Sequence, residues 1–241
     1  MRELPAGDGR VTVETRGDGV ALVTLDRPHK RNALSLELRV ALATAVEEAA
    51  ADEAVAAIVV TGAGSAFCAG MDVTQFGGDR AHKERIVETS VRLFEVVARC
   101  PAPTVAAVNG PAVAGGFALA LLCDLRVAAP GATFGFPEVG RHIPPSYAAA
   151  ASALPPAVAR DLCLTGRVVD AREALVLGIA SRRGGLEDAL EAATEIAAAP
   201  RAATREVKRR ILLGGEATWQ ALLRDEERAL TAALLGPAPS G

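Results

Sequence analysis

Two glycine-bearing turns hold the residues from which chemistry could start. Residues 58–72 read IVVTGAGSAFCAGMD and residues 109–124 read NGPAVAGGFALALLCD. The second stretch has no ionisable side chain before its final aspartate except Cys123, so a site built there must act through backbone N–H groups. A dinucleotide site is disfavoured: Gly62 and Gly64 begin a GxGxxG pattern, but position 67 is Phe, and the missing glycine is the one that permits close helix packing. No GxxxxGK[ST] phosphate loop is present. A serine hydrolase triad is equally disfavoured, because the chain has no GxSxG elbow and only three histidines. The glycines could also serve only turns and close helix packing.

The elements that must position these turns can be read from periodicity. Residues 11–15 and 20–25 alternate as strands across Arg16-Gly17-Asp18-Gly19, a hairpin turn. Ser35 can cap a helix running to about residue 51, in which Leu38, Leu42, Ala45, Val46 and Ala49 recur at helical spacing. A buried strand over 56–61 follows, then a helix over about 82–99, a strand over 104–108, a helix from about Gly116 and a strand over 125–128. This alternation predicts an α/β class with buried strands. After Pro145 the pattern is almost wholly helical, with breaks at Pro155-Pro156, Gly166, Gly184-Gly185, Pro200 and Gly214-Gly215, and the tail LGPAPSG is expected to fray.

Composition narrows the function classes. With 241 residues, half of them hydrophobic, the chain can bury a large core. Net charge is −3, and the densest basic cluster, Lys208, Arg209 and Arg210, lies on an expected helix without aromatic interleaving, so no nucleic-acid partner is expected. The longest nearly uncharged stretches fall short of the about 18 apolar residues of a membrane span. The start MRELPAGDGR has no signal-peptide core. Four widely spaced cysteines suggest neither a metal site nor a disulfide framework, and a reduced cytoplasm is the expected setting.

Taken in order, several segments resemble the enoyl-CoA hydratase/isomerase family, also called the crotonase superfamily. LDRPHKRNALS matches its amino-terminal loop, VAAIVVTGAGSAFCAG its first core strand and turn, and NGPAVAGG with the helix ending in CD its second turn. ATFGFPEVG matches its second active-site loop and LTGRVVDAREALVLGIA its carboxy-proximal helix pair. The resemblance implies a crotonase-like spiral of ββα units over residues 1–195 and a helical C-terminal region over 196–241, shorter than usual in the family.

It also implies an acyl-CoA enzyme that stabilises a thioester enolate, with no prosthetic group and coenzyme A present as part of the substrate. The oxyanion hole would be the backbone N–H groups of Met71 and Gly115, the helix beginning there aiming its positive end at the oxygen. Arg27, Lys30 and Arg31 match the basic part of the coenzyme-binding loop, and Ala33, Ala69 and Asp72 match positions near adenine and pantetheine. Asn32 is expected to pin that loop, and residues 73–83 to line the acyl tunnel, Phe76 facing it.

A hydratase of the family uses two glutamates. Here the first position is Ala118 and the second is Glu138. One carboxylate suits a double-bond isomerase, which takes a proton from one carbon of an allylic system and returns it two carbons along. Glu138 is therefore the expected acid/base of an isomerase or an atypical hydratase, its acidity weakened by Phe134 and Phe136. His142, Ser146 and Tyr147 depart from the family's glycine-rich continuation. Two further readings stay open: decarboxylation or hydrolysis with His142 or Tyr147 recruited, and non-catalytic binding of acyl-CoA or a protein partner. A homotrimer or a dimer of trimers is implied.

Overall fold

The computed structural model describes residues 1–235, leaving out the side chains of residues 215–218, so the expected fraying past Leu235 lies outside the described residues. The chain opens with three antiparallel strands, β1 (Arg2–Ala6), β2 (Gly9–Thr15) and β3 (Val20–Asp26). The β2–β3 turn closes through Gly19 N–H donating to Arg16 O at 3.2 Å, with Gly19 at φ +82°. β1 is absent from the periodicity reading because RELPA carries Pro5. It occupies the sheet edge, where a residue without an N–H is tolerated.

Ser35 Oγ accepts from Leu38 N–H at 3.1 Å and starts α1 (Leu36–Ala51). Then come β4 (Ala57–Gly62), α2 (Arg80–Ala98), β5 (Thr104–Val108), β6 (Pro111–Val113), α3 (Gly115–Leu122), β7 (Leu125–Ala128) and β8 (Thr133–Gly135). The remainder is α4 (Tyr147–Ala153), α5 (Pro156–Thr165), β9 (Val168–Asp170), α6 (Ala171–Val176), β10 (Arg182–Arg183), α7 (Leu186–Ala198) and α8 (Arg201–Leu235). The short strands β6, β8, β9 and β10 do not figure in the sequence reading, since two or three residues carry too little alternation to register.

Seven strands form the main sheet in the order β1-β2-β3-β4-β5-β7-β10, parallel from β3 onward. Every residue of β4 and β5 is buried, which is why both read as unbroken apolar runs. One face packs on α1 and α3 residues such as Leu38, Leu42 and Phe117. On the other, Val59, Val105 and Val127 meet Ala189, Leu190 and Ala193 of α7. A second sheet, β6-β8-β9, stands beside it and joins the 67–69 turn through a Cys68–Ala112 bridge.

The C-terminal helix differs from expectation. α8 runs unbroken through Gly214-Gly215. Each glycine costs a helix about 1 kcal/mol, and anchors on either side outweigh that. Lys208 is buried, its Nζ donating to both carboxylate oxygens of Asp124 at 2.8 and 2.7 Å, while Trp219 and Leu223 are buried further along. The basic cluster of the sequence is thereby dispersed, since Arg209 and Arg210 pair with Glu206 on their own helix.

Candidate active site

The two glycine turns meet at one place. Leu34 N–H donates to Gly70 O at 2.7 Å and Asp72 N–H donates to Leu34 O at 3.2 Å, a bridge that turns the Met71 N–H away from Leu34. Gly70, at φ +87°, makes that turn possible. Gly115 is the first residue of α3, where an N–H has no intrahelical acceptor. A Cβ added to Gly115 would lie 3.7 Å from Met71 N, so the two amides are neighbours.

The glycine pair divides its duties. A Cβ on Gly116 would come within 2.1 Å of Cys68 O, so residue 116 must be glycine for α3 to pack on the 67–69 turn. A Cβ on Gly115 would meet nothing closer than Phe94 Cζ at 3.6 Å. Packing therefore explains Gly116 and leaves Gly115 unexplained.

Met71 and Gly115 both border a cavity of about 280 Å3. Ala69, Met71, Val73 and Phe76 form one wall, and Ser90, Val91 and Phe94 of α2 another. Glu138 and Arg141 face them from the turn after β8, and Ser146 marks the start of α4. Leu223, Glu226 and Leu230 of α8 close the remaining side.

Glu138 follows Pro137 in a 3-10 turn, half-buried, with Oε2 buried and without a hydrogen-bond partner. Burial pushes its carboxyl up to about 7. Phe134 and Phe136 act from behind: both are fully buried, at 5.7 and 4.7 Å from the Phe117 ring of α3, and they fix the loop instead of lining the cavity. Ala118 is fully buried in α3 and is likewise absent from the cavity wall. His142 is exposed at φ +61°, and Tyr147 opens α4; both border a neighbouring crevice with Arg160 and Cys163.

The expected coenzyme loop divides in two. Arg27 is buried, and its guanidinium is held by partners within the protein. Its Nη1 donates to Asp72 Oδ2 at 2.7 Å and to Ala33 O at 3.1 Å, and its Nε donates to Asp8 Oδ1 at 2.5 Å. Burial pushes the Asp72 carboxyl up, but hydrogen bonds from Thr74 and Arg27 outweigh it and hold the group below the usual range. Lys30 and Arg31 remain exposed. Asn32 pins the loop: its Oδ1 accepts from Arg27 N–H at 2.9 Å and its Nδ2 donates to Ala63 O and Ala66 O at 2.9 and 2.8 Å.

Sequence reasoning missed Glu226. It stands in phase with the buried Trp219 and Leu223 and with Leu230, and a carboxylate on the apolar stripe of a helix was the available signal. Asp8, the partner of Arg27, gave no comparable sign.

Residues 15–233 match the family model for enoyl-CoA hydratase/isomerase. A putative enoyl-CoA hydratase of Thermus thermophilus is 42% identical over 193 residues, covering 77% of this chain and 76% of that one. A probable enoyl-CoA hydratase of Mycobacterium tuberculosis, EchA14, is 41% identical over 213 residues, covering 84% and 78%. Among solved structures, an enoyl-CoA hydratase/isomerase from Mycobacterium paratuberculosis superposes with a TM-score of 0.84 at 28% identity, covering 94% of each chain. One from Pseudoalteromonas atlantica superposes with a TM-score of 0.82 at 31% identity, covering 95% and 92%. With the parallel sheet and its flanking helices, these likenesses establish that the chain has the crotonase fold and belongs to the enoyl-CoA hydratase/isomerase family.

Proposed function

We propose that the protein forms and quenches a thioester enolate of an enoyl-CoA, and that the reaction its Glu138 performs unaided is double-bond migration. The observation that carries this is a half-buried carboxylate with a free Oε2, in one cavity with two adjacent amides that have no backbone acceptor among the described residues. The thioester oxygen sits between the N–H groups of Met71 and Gly115, each about 2.9 Å away. Glu138 takes a proton from C2 of a 3-enoyl thioester, the electron pair moves to the carbonyl oxygen, and the protonated carboxyl returns its proton at C4. The double bond then lies between C2 and C3. A carboxyl near 7 suits both halves of that exchange, being neither too weak a base nor too weak an acid at neutral pH. Hydration by Glu138 alone is the atypical alternative within the same reading.

Coenzyme A lies along the amino-terminal loop, with Lys30 and Arg31 near its phosphates and Ala33 and Ala69 beside adenine and pantetheine. Arg27 and Asp72 hold that loop instead of touching phosphate. The exposed Val207, Ile211 and Leu213 of α8 support a subunit contact in a homotrimer or dimer of trimers, in the cytoplasm. Sedimentation of the purified chain reads that state.

Glu138→Gln tests the chemistry. Isomerisation of a 3-enoyl-CoA, followed by chromatography of the products, should fall at least about 100-fold, while acyl-CoA still binds. Surviving turnover would remove Glu138 from the mechanism, and a wild type that binds acyl-CoA without turning it over would be a non-catalytic member.

A further inference from the structure

The position at which a hydratase of this family keeps its first glutamate is Ala118, buried behind the cavity wall, yet beside the exposed Glu227 the cavity holds a second half-buried carboxylate. It comes from α8. Glu226 lines the same space as Glu138, Met71 and Gly115, half-buried. Its Oε2 accepts from the Ser146 hydroxyl at 2.8 Å and its Oε1 from Ala148 N–H at 2.5 Å. Cys163 of α5 lies within electrostatic reach of both Glu226 and Glu138.

We propose that Glu226 is a second proton-transfer group of this cavity, supplied by the C-terminal helix in place of the absent carboxylate at position 118, and that it adds a hydration activity to the enolate chemistry of Glu138. The proposal rests on the enolate reading given above. In the added reaction a water held by the Glu226 carboxylate gives it a proton as its oxygen bonds to C3 of a 2-enoyl thioester. The C2–C3 π pair moves to the thioester oxygen, held by Met71 and Gly115. The enolate then collapses and takes a proton at C2 from the carboxyl of Glu138. Water is consumed, no redox partner is needed, and Glu226 returns its proton to Glu138 through solvent.

Burial holds the Glu226 carboxyl above the usual range against the pull of Ala148 N–H and the Ser146 hydroxyl, so it is able to retain a proton. The same two hydrogen bonds also tie α8 to the start of α4, and a purely structural tether is the rival account. Gln at position 226 separates the two. Its carbonyl can still accept from Ala148 N–H and its amide can donate to Ser146 Oγ, so the tether persists while proton transfer is lost.

The test measures hydration of a 2-enoyl-CoA and isomerisation of a 3-enoyl-CoA by the full chain, side by side, for the wild type, Glu226→Gln and Glu138→Gln. The proposal expects Glu226→Gln to lower the ratio of hydration to isomerisation by about 100-fold, the usual size of one acid–base contribution, with a melting temperature no lower than that of the wild type. Glu138→Gln should abolish both reactions. A wild type that isomerises without hydrating, or a Glu226→Gln variant that keeps the wild-type ratio, overturns the role of Glu226 and leaves the enolate reading intact. An equal fall of both rates together with a lower melting temperature shows a tether only, and also overturns it. If Glu138→Gln keeps both activities, the enolate reading itself fails.

Discussion

Gly115 and Gly116 are adjacent in sequence, yet alanine at each should fail in opposite ways. At 116 the new methyl would stand 2.1 Å from the Cys68 carbonyl oxygen and 2.7 Å from its carbon, both backbone atoms of a turn fixed by its bridge to Ala112. Ordinary contact begins at 3.4 Å, so α3 must retreat by more than about 1 Å from the 67–69 turn. Overpacking of that kind costs on the order of 3 kcal/mol, which for a chain of this size lowers the melting temperature by roughly 10 °C. At 115 the methyl meets Phe94 Cζ at 3.6 Å, an ordinary contact, and alanine gains up to about 1 kcal/mol of helix propensity. Gly115→Ala should therefore melt at or slightly above the wild-type temperature. It should nevertheless be nearly inactive, because its methyl stands 3.7 Å from Met71 N, in the space beside both amides. Alanine keeps its N–H, so the loss comes from the methyl crowding the thioester oxygen away from both donors, an effect about as large as losing one of them, about 100- to 1,000-fold in turnover. Thermal unfolding and isomerisation rates on the two variants decide the matter. An active Gly115→Ala would refute the placing of the thioester oxygen in the space beside residue 115, and a Gly116→Ala variant as stable as wild type would refute the division of duties between the glycines.

Three further outcomes follow from particular contacts. Burial raises the Glu138 carboxyl from 4.5 to about 7, so its stabilising contribution is complete below about pH 4.5 and lost as pH rises through about 7. Glu138→Gln should thus gain melting temperature over wild type at about pH 8 and much less at about pH 5, and a gain equal at both would contradict the assignment. Arg27→Met leaves Asp72 buried without its partner and should cost about 3–5 kcal/mol by urea denaturation, whereas Lys30→Ala should change stability by under about 0.5 kcal/mol and weaken acyl-CoA binding. Asn32→Ala strands Arg27 N–H and Ala63 O and puts alanine at φ +55°, so urea denaturation should show a loss of about 3 kcal/mol.

Much of the frame was legible because its signals are local. Ser35, the Arg16–Gly19 turn and the apolar runs of β4 and β5 each dictate their element from neighbouring residues alone. What escaped depends on partners distant in sequence. Pro5 sits in a strand only because that strand forms an edge, and Gly214-Gly215 stays helical because Lys208 finds Asp124 on one side while Trp219 and Leu223 pack on the other. The site divides along the same line. Met71, Gly115 and Glu138 could be placed from short motifs, and all three border one cavity. Arg27 reads in sequence as one of three basic residues of a loop, and only the fold sets Asp8, on the β1–β2 turn, against it. Glu226 is separated from Ser146 by eighty residues, and nothing near either one announces the pairing.

The measurement that bears most directly on the enolate is proton exchange at C2 of a saturated acyl-CoA in heavy water, since that exchange needs only the two amides and one base. Wild-type protein should load deuterium at C2, and Glu138→Gln should bind the same thioester and load none within the same time. Deuterium incorporation by Glu138→Gln at the wild-type rate would contradict the account.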